Sequence, residues 1–330
     1  MPLAVGSATL VVMATGSCNL QCRYCSSPNA SPSEVSLQDL DKALTGLQSL
    51  FGTVCVGLSG GEPTLHSRFD ELVGVVASRQ AEFYLATNGL EFERVVPALL
   101  RHRERLTHVM FGIEAADREA NDRVRGHGSF DAVMEGLRLC HENGIQTGLG
   151  CALNRGNLGE IDALLRLAEK RMVIDGVYFW PAFPTPPLVE DGLLLTEADR
   201  AYLVNRAKQV GDRNQVIFGD LFRFDVFYQE CAPIGLRQFT LNADGNLSFC
   251  CNLTYYKGET GKADELGAVS EHDIVTLVER HIDHAKEYHK ALLRDNLEGR
   301  CEGLAGYPCF HCQRHHSKLD WLEGGEMQSQ

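Results

Sequence analysis

The chain of 330 residues is 44% hydrophobic and 23% charged, an ordinary globular composition with length enough for a sizeable core and two domains. A net charge of −13 excludes a basic nucleic-acid-binding face as its main surface; it is compatible with a cationic substrate, and equally with carboxylates that keep the surface soluble. No apolar run is long enough to span a membrane, and 12 cysteines at metal-ligand spacings in a chain this long read as cluster ligands in a reducing compartment, the cytoplasm, rather than as the disulfides of a small secreted domain.

In chain order, Thr9–Met13 predicts a first strand. The apolar run around it has no basic residues before it and leads straight into a cysteine loop, so it is not a signal-peptide core. The loop, Thr15 to Ser27, places Cys18, Cys22 and Cys25 in a C-x3-C-x2-C pattern. Three thiolates that close together suit an iron–sulfur cluster. A four-iron cluster needs four ligands, so one iron is left open to a small molecule. A closed zinc site takes four protein ligands, and no nearby His or Cys completes such a set here; three incidental thiols are the other alternative.

Strands are then predicted at Val54–Leu58, Phe83–Ala86, His108–Ile113, Gln146–Leu153 and Val177–Trp180. Between them lie helical patterns. One is capped by Ser36, with Leu37, Leu40, Leu44 and Leu47 on one face. Others cover Phe69–Arg79, Phe130–Asn143 and Leu158–Lys170, and Gly144 stands where a C-terminal helix-ending Gly belongs. Repeated βα units imply a parallel wound sheet. Cys55, Cys140 and Cys151 fall within apolar patterns and read as small buried residues.

After Trp180 the pattern changes. Pro181–Pro187 is a Pro-rich turn region and a candidate substrate-facing lid, followed by a helix over Glu197–Val210. A domain boundary near Asn214 divides the chain into 1–214 and 215–330. Phe239–Phe249 reads as a β-hairpin turning at Asp244-Gly245. It brings Cys231 and Cys250 to neighbouring strand ends, and the C-x2-C pair Cys309 and Cys312 can close a four-cysteine site. Cys251 and Cys301 stand close by in sequence, and zinc is the structural alternative for the last pair.

The cysteine loop, together with Ser59-Gly60-Gly61-Glu62-Pro63 after the second strand, resembles the radical S-adenosylmethionine (SAM) superfamily over the first two thirds of the chain. The resemblance implies a partial, six-unit TIM-like α/β barrel, with the site at the C-terminal ends of its strands. It implies a [4Fe–4S] cluster held by Cys18, Cys22 and Cys25, whose open iron binds SAM. Reductive cleavage would then yield a 5′-deoxyadenosyl radical that takes a hydrogen atom from substrate. An external one-electron reductant of the flavodoxin or ferredoxin type is implied as well.

By the same resemblance Gly60, Gly61 and Glu62 approach the methionyl amino group, Tyr24 packs near adenine, and Asn88 ends the third strand at the site. Gly112-Ile113-Glu114 matches the family's Ser-x-Asp motif, with Glu114 as ribose acceptor and Gly in place of the commoner Ser. Arg125 matches the Arg that pairs with the SAM carboxylate; read without the resemblance, it is a surface ion pair. Asn154 is a further ribose candidate.

The last hundred residues resemble the twitch or short SPASM extension, a small α+β domain with one auxiliary [4Fe–4S] cluster, here on Cys231, Cys250, Cys309 and Cys312. That leaves Cys251 and Cys301 over, with Cys251 either a spare ligand or packed residue or a thiol that returns hydrogen to a substrate radical. The second reading resembles radical SAM epimerases of aminoglycosides, in antibiotic biosynthesis, or of peptides. The expectation is an epimerase acting on an aminoglycoside-like sugar, supported by the acidic balance and by Cys18 lying too early for a leader-binding domain before it. A twitch dehydrogenase and a peptide epimerase or maturase are the alternatives. A non-catalytic iron–sulfur carrier is opposed by the Gly-Gly-Glu-Pro motif, since a carrier needs no open iron.

Overall fold

The computed structural model describes residues 7–171, 176–210, 216–218, 231–258, 261, 264–301 and 308–323. The expected domain boundary at 214/215 lies outside the described residues.

The elements run β1 (Ala8–Met13), α1 (Leu37–Phe51), β2 (Val54–Ser59), α2 (Phe69–Ser78), β3 (Phe83–Thr87), α3 (Phe92–Arg101), β4 (Leu106–Gly112), α4 (Arg118–Arg125), α5 (Ser129–Glu142), β5 (Thr147–Leu153), α6 (Ile161–Lys170), β6 (Gly176–Pro181), α7 (Pro186–Glu190), α8 (Glu197–Val210) and β7 (Val216–Phe218). After these come β8 (Gln238–Leu241), β9 (Asn246–Ser248), β10 (Glu265–Ala268), α9 (Ile274–Leu297), α10 (Pro308–His315) and α11 (Asp320–Glu323).

All ten strands form one sheet in the order β10-β9-β8-β1-β2-β3-β4-β5-β6-β7. From β1 to β7 every pairing is parallel, as the βα repeat requires. Leu10, Val12, Val56, Leu58, Phe83, Leu85, Val109, Phe111 and Leu149 alternate along the strands toward the helices and are fully buried among them. Their neighbours in sequence point to the opposite, inner face. The Ser36 cap forms as predicted, its hydroxyl accepting from the Asp39 N–H. Gly144 adopts φ 61°, and the Ile145 N–H reaches back to the Cys140 carbonyl to close α5.

Two features depart from the expectation. The C-terminal hairpin does not build a sheet of its own: β8 pairs parallel with β1, so the second cysteine set is carried on an extension of the same sheet. The helices α3, α4, α9 and α10 were not predicted. Pro97 sits inside α3, whose buried Phe92, Val95, Val96 and Leu99 form an apolar stripe that the proline interrupts, whereas α4, with only Asn121 and Arg125 buried, shows no such stripe.

The sheet curves so that distant strand ends meet at one mouth. Tyr24, on the loop after β1, packs with Trp180 around Ala152, Ala182 and Leu188 at the ends of β5 and β6. The Lys257 N–H donates to the Ser26 carbonyl at 2.6 Å, and the Tyr256 hydroxyl donates to the Pro184 carbonyl. The turn after β9 therefore clasps both the cysteine loop and the segment after β6.

Candidate active site

The cysteine loop sits at the C-terminal end of β1, where the site of a parallel barrel belongs. Cys18, Cys22 and Cys25 are half-buried on it. Backbone bonds hold it: Gly61 N–H to the Thr15 carbonyl and Glu62 N–H to the Ser17 carbonyl, both at 2.8 Å. The approach is close enough to demand glycine. A Cβ on Gly61 would lie 2.2 Å from the Ser17 oxygen, and one on Gly60 (φ 133°) 2.5 Å from the Thr15 oxygen. The Gly-Gly pair thus seats the cysteine loop directly.

Burial pushes all three thiols up, Cys25 to about 11. A bound cation reverses this by stabilising the thiolates. Donors already face the sulfurs: the Leu20 N–H lies 3.4 Å and the Asn88 amide 3.9 Å from Cys18 Sγ. Such contacts tune cluster potential.

Glu62 is fully buried and ties the ends of β2 and β3 together. Its carboxylate accepts from the Thr64 N–H at 3.1 Å, the Thr64 and Thr87 hydroxyls at 2.6 and 2.7 Å, and the Asn88 N–H at 2.8 Å. Asn88 in turn donates to Asn19 Oδ1, inside the cysteine loop, at 2.7 Å.

Across the mouth, Glu114, Arg125 and Tyr24 form a second group. Arg125 Nη1 lies 3.1 Å from Glu114 Oε1 and also donates to the Tyr24 hydroxyl. Arg125 is buried, so the reading without the resemblance, a surface ion pair, does not hold. Burial acts against its charge, but the Tyr24, Cys22 and Glu114 groups around it more than offset that, and the guanidinium stays charged. Its Nε is buried without a hydrogen-bond partner. Burial raises the Glu114 carboxyl to about 7, with Arg125 opposing.

Gly112 replaces the commoner Ser for a steric reason. A Cβ there would lie 2.5 Å from both terminal nitrogens of Arg125. Arg125 occupies the space that a serine side chain needs.

Asn157 and Cys151 were missed as site residues, since no motif marks them. The Cys151 thiol donates to Glu114 Oε2 at 3.4 Å, beside the Ala152 N–H at 3.0 Å and the Asn157 amide at 3.3 Å. Asn157 Oδ1 also accepts from the Asn154 N–H at 2.8 Å. The Asn154 side-chain oxygen is engaged with the Gly156 N–H at 2.8 Å.

We expect Arg125→Ala to lose a charged hydrogen bond to SAM, weakening binding by about 1.5–3 kcal/mol. It also leaves Glu114 buried and unpaired, so folding stability falls by up to about 3–5 kcal/mol. Adding Glu114→Gln restores much of the stability but not SAM affinity. Isothermal titration and thermal melts separate the two effects.

The second cysteine set converges. Cys231, Cys250, Cys251, Cys309 and Cys312 line one cavity of about 210 Å³, while Cys301 does not. Burial pushes the Cys309 and Cys312 thiols well up. The hydrogen bond between neighbouring Cys250 and Cys251 raises Cys250 and holds Cys251 down. Gln238, on the inner face of β8, donates to Cys251 Sγ at 3.6 Å. Among the described residues no three His, Cys, Asp or Glu side chains converge on a single-ion position. None of the 12 cysteines forms a disulfide.

Residues 12–168 match the Radical SAM superfamily. Over 163 residues the chain is 32% identical to Fe-coproporphyrin III synthase of Methanosarcina barkeri, covering 48% of this chain and 40% of that protein. It is 31% identical over 159 residues to the mycofactocin maturase MftC of Mycolicibacterium smegmatis, covering 47% and 40%. These matches span about two fifths of each relative's length. In structure the chain resembles anSMEcpe with bound AdoMet and Cp18Cys peptide (TM-score 0.65, 16% identity, 85% of this chain and 82% of that one). It also resembles Streptococcus suis SuiB bound to precursor peptide SuiA (TM-score 0.60, 13% identity, 82% and 64%). Among the described residues no helix is long and apolar enough to cross a membrane.

Proposed function

We propose that this chain, a radical SAM enzyme by the domain at residues 12–168, inverts a carbon centre in a peptide, with Cys251 returning the hydrogen atom. Cys18, Cys22 and Cys25 would hold a [4Fe–4S] cluster that, reduced and with SAM bound, would supply the radical chemistry for taking a hydrogen atom from a substrate C–H bond. Arg125 and Glu114 hold the SAM carboxylate and ribose, Tyr24 packs on its adenine, and Asn154 stands beside them. Glu62 holds Asn88 against the cysteine loop. The observation that carries the thiol role is the placement of Cys251. Its sulfur accepts a hydrogen bond from Gln238 on the inner face, and it makes a fifth cysteine where four ligands suffice.

The step balances simply. Cys251 gives the hydrogen of its S–H to the substrate radical, and the external reductant and solvent then return one electron and one proton to its sulfur. A second, auxiliary [4Fe–4S] cluster fits Cys231, Cys250, Cys309 and Cys312, in the manner of a twitch extension, with residues 215–330 as that unit.

An aminosugar would want carboxylates on the inner face, and β1–β6 carry none. A peptide is favoured on that ground, and the names of SuiB and anSMEcpe, each bound to a peptide, point the same way. Dehydrogenation is the second reading, favoured if Cys251 is itself a cluster ligand, since all five thiols share one cavity. Reduced, anaerobically reconstituted protein should convert SAM to 5′-deoxyadenosine and give a product of unchanged mass. A product lighter by two hydrogens would select the second reading.

A further inference from the structure

Below the SAM-site residues, the inner face carries a second group that the site has not used. Trp180 of β6 lies across β5, where a Cβ on Gly150 would come within 2.6 Å of the indole Cη2 and 3.4 Å of Met110 Sδ. Tyr84 of β3 leans across β2, where a Cβ on Gly57 would lie 2.3 Å from its hydroxyl. Its ring stacks on His108 of β4, centroids 5.1 Å apart and planes within 2°. The two glycines are therefore what lets these rings lie flat on the sheet. Tyr84, His108, Met110 and Trp180 are all only half-buried. Parallel strands covered on both faces are apolar as a matter of course, but here these four side chains keep part of their surface uncovered. The six strands β1–β6 contain no Asp, Glu, Lys or Arg.

We infer that this face receives an uncharged, flat or apolar side chain of the peptide substrate, and that Trp180, Met110, Tyr84 and His108 set that preference. The inference rests on the peptide reading above. A cationic or anionic side chain entering here gives up water without meeting an opposite charge. An aromatic or aliphatic one removes apolar area from water, and rings gain further from edge and offset contacts. The Tyr84–His108 stack presents a fixed shelf rather than a mobile side chain, so little ordering entropy is lost when a ring docks on it.

The test uses reduced holoprotein, SAM and peptides Gly-Gly-X-Gly-Gly in which X is Phe, Leu, Lys or Glu, with the aminosugar neamine alongside. 5′-Deoxyadenosine formed above the peptide-free rate is the readout. The Phe and Leu peptides should exceed Lys and Glu by about tenfold or more. In Met110→Lys the Leu-to-Glu ratio should shift toward Glu, a comparison made within one variant and so independent of its total activity. His108→Lys serves the same purpose if Met110→Lys fails to load its clusters. Preference for Lys or for neamine, an equal response to all peptides, or an unchanged ratio in both variants overturns the inference while leaving the basal reaction in place. A holoprotein that forms no 5′-deoxyadenosine under any condition overturns the proposed reaction and this inference together.

Discussion

Replacing Cys18, Cys22 and Cys25 together with alanine is expected to abolish SAM cleavage and to lower the reconstituted iron content from about eight atoms per chain to about four. The partial loss follows from the separation of the two cysteine sets. The first lies on the loop after β1, whereas Cys231, Cys250, Cys309 and Cys312 share a cavity built from β8, β9 and the C-terminal helices. The loop itself should persist without its thiols. It is held by backbone bonds from Gly61 and Glu62 and by the Cys18 N–H donating to Asn29 Oδ1 at 2.7 Å, none of which uses a sulfur. Iron and sulfide analysis with chromatographic assay of 5′-deoxyadenosine checks both outcomes. A triple variant that keeps its full iron load, or still cleaves SAM, shows that the ligand assignment is wrong.

The second large effect is expected at Cys251. Cys251→Ala should keep both clusters and still consume SAM, because the thiol acts only after the substrate hydrogen has been taken. It should form little inverted product, since the substrate radical finds no S–H on its second face. Gln238→Ala should reduce the same step more mildly, because Gln238 only orients the thiol through its 3.6 Å contact. Loss of about four irons in Cys251→Ala would show instead that Cys251 is a ligand and that Cys250 is the free thiol.

Much of this site was legible because its chemistry needs residues that carry their own signature. C-x3-C-x2-C and Gly-Gly-Glu-Pro are contiguous, and the distances at Gly60 and Gly61 show why no other residue serves there. Strand placement was legible for a similar reason: β1–β6 form short, largely apolar runs between helical periods. Contacts made between distant segments were not legible. Asn157 and Cys151 reach Glu114 across 43 and 37 positions of sequence, and the turn at Tyr256–Lys257 meets Pro184 and Ser26 from the far edge of the sheet. The pairing of β8 with β1 was hidden likewise, because a four-residue strand that joins the sheet at its first member looks locally like any hairpin arm. At Gly112 a departure from the family pattern put a contact in question, and the packed Arg125 guanidinium accounts for it.

The account's central claim is that hydrogen leaves one face of a substrate carbon and returns to the other from Cys251. Turnover in deuterated water tests it most directly, using whichever peptide most strongly stimulates 5′-deoxyadenosine formation. A thiol exchanges its proton with solvent, so the unaltered protein should place one deuterium at the inverted carbon, and 5′-deoxyadenosine should carry none from solvent. An oxidised product with no solvent deuterium at that carbon would contradict the claim.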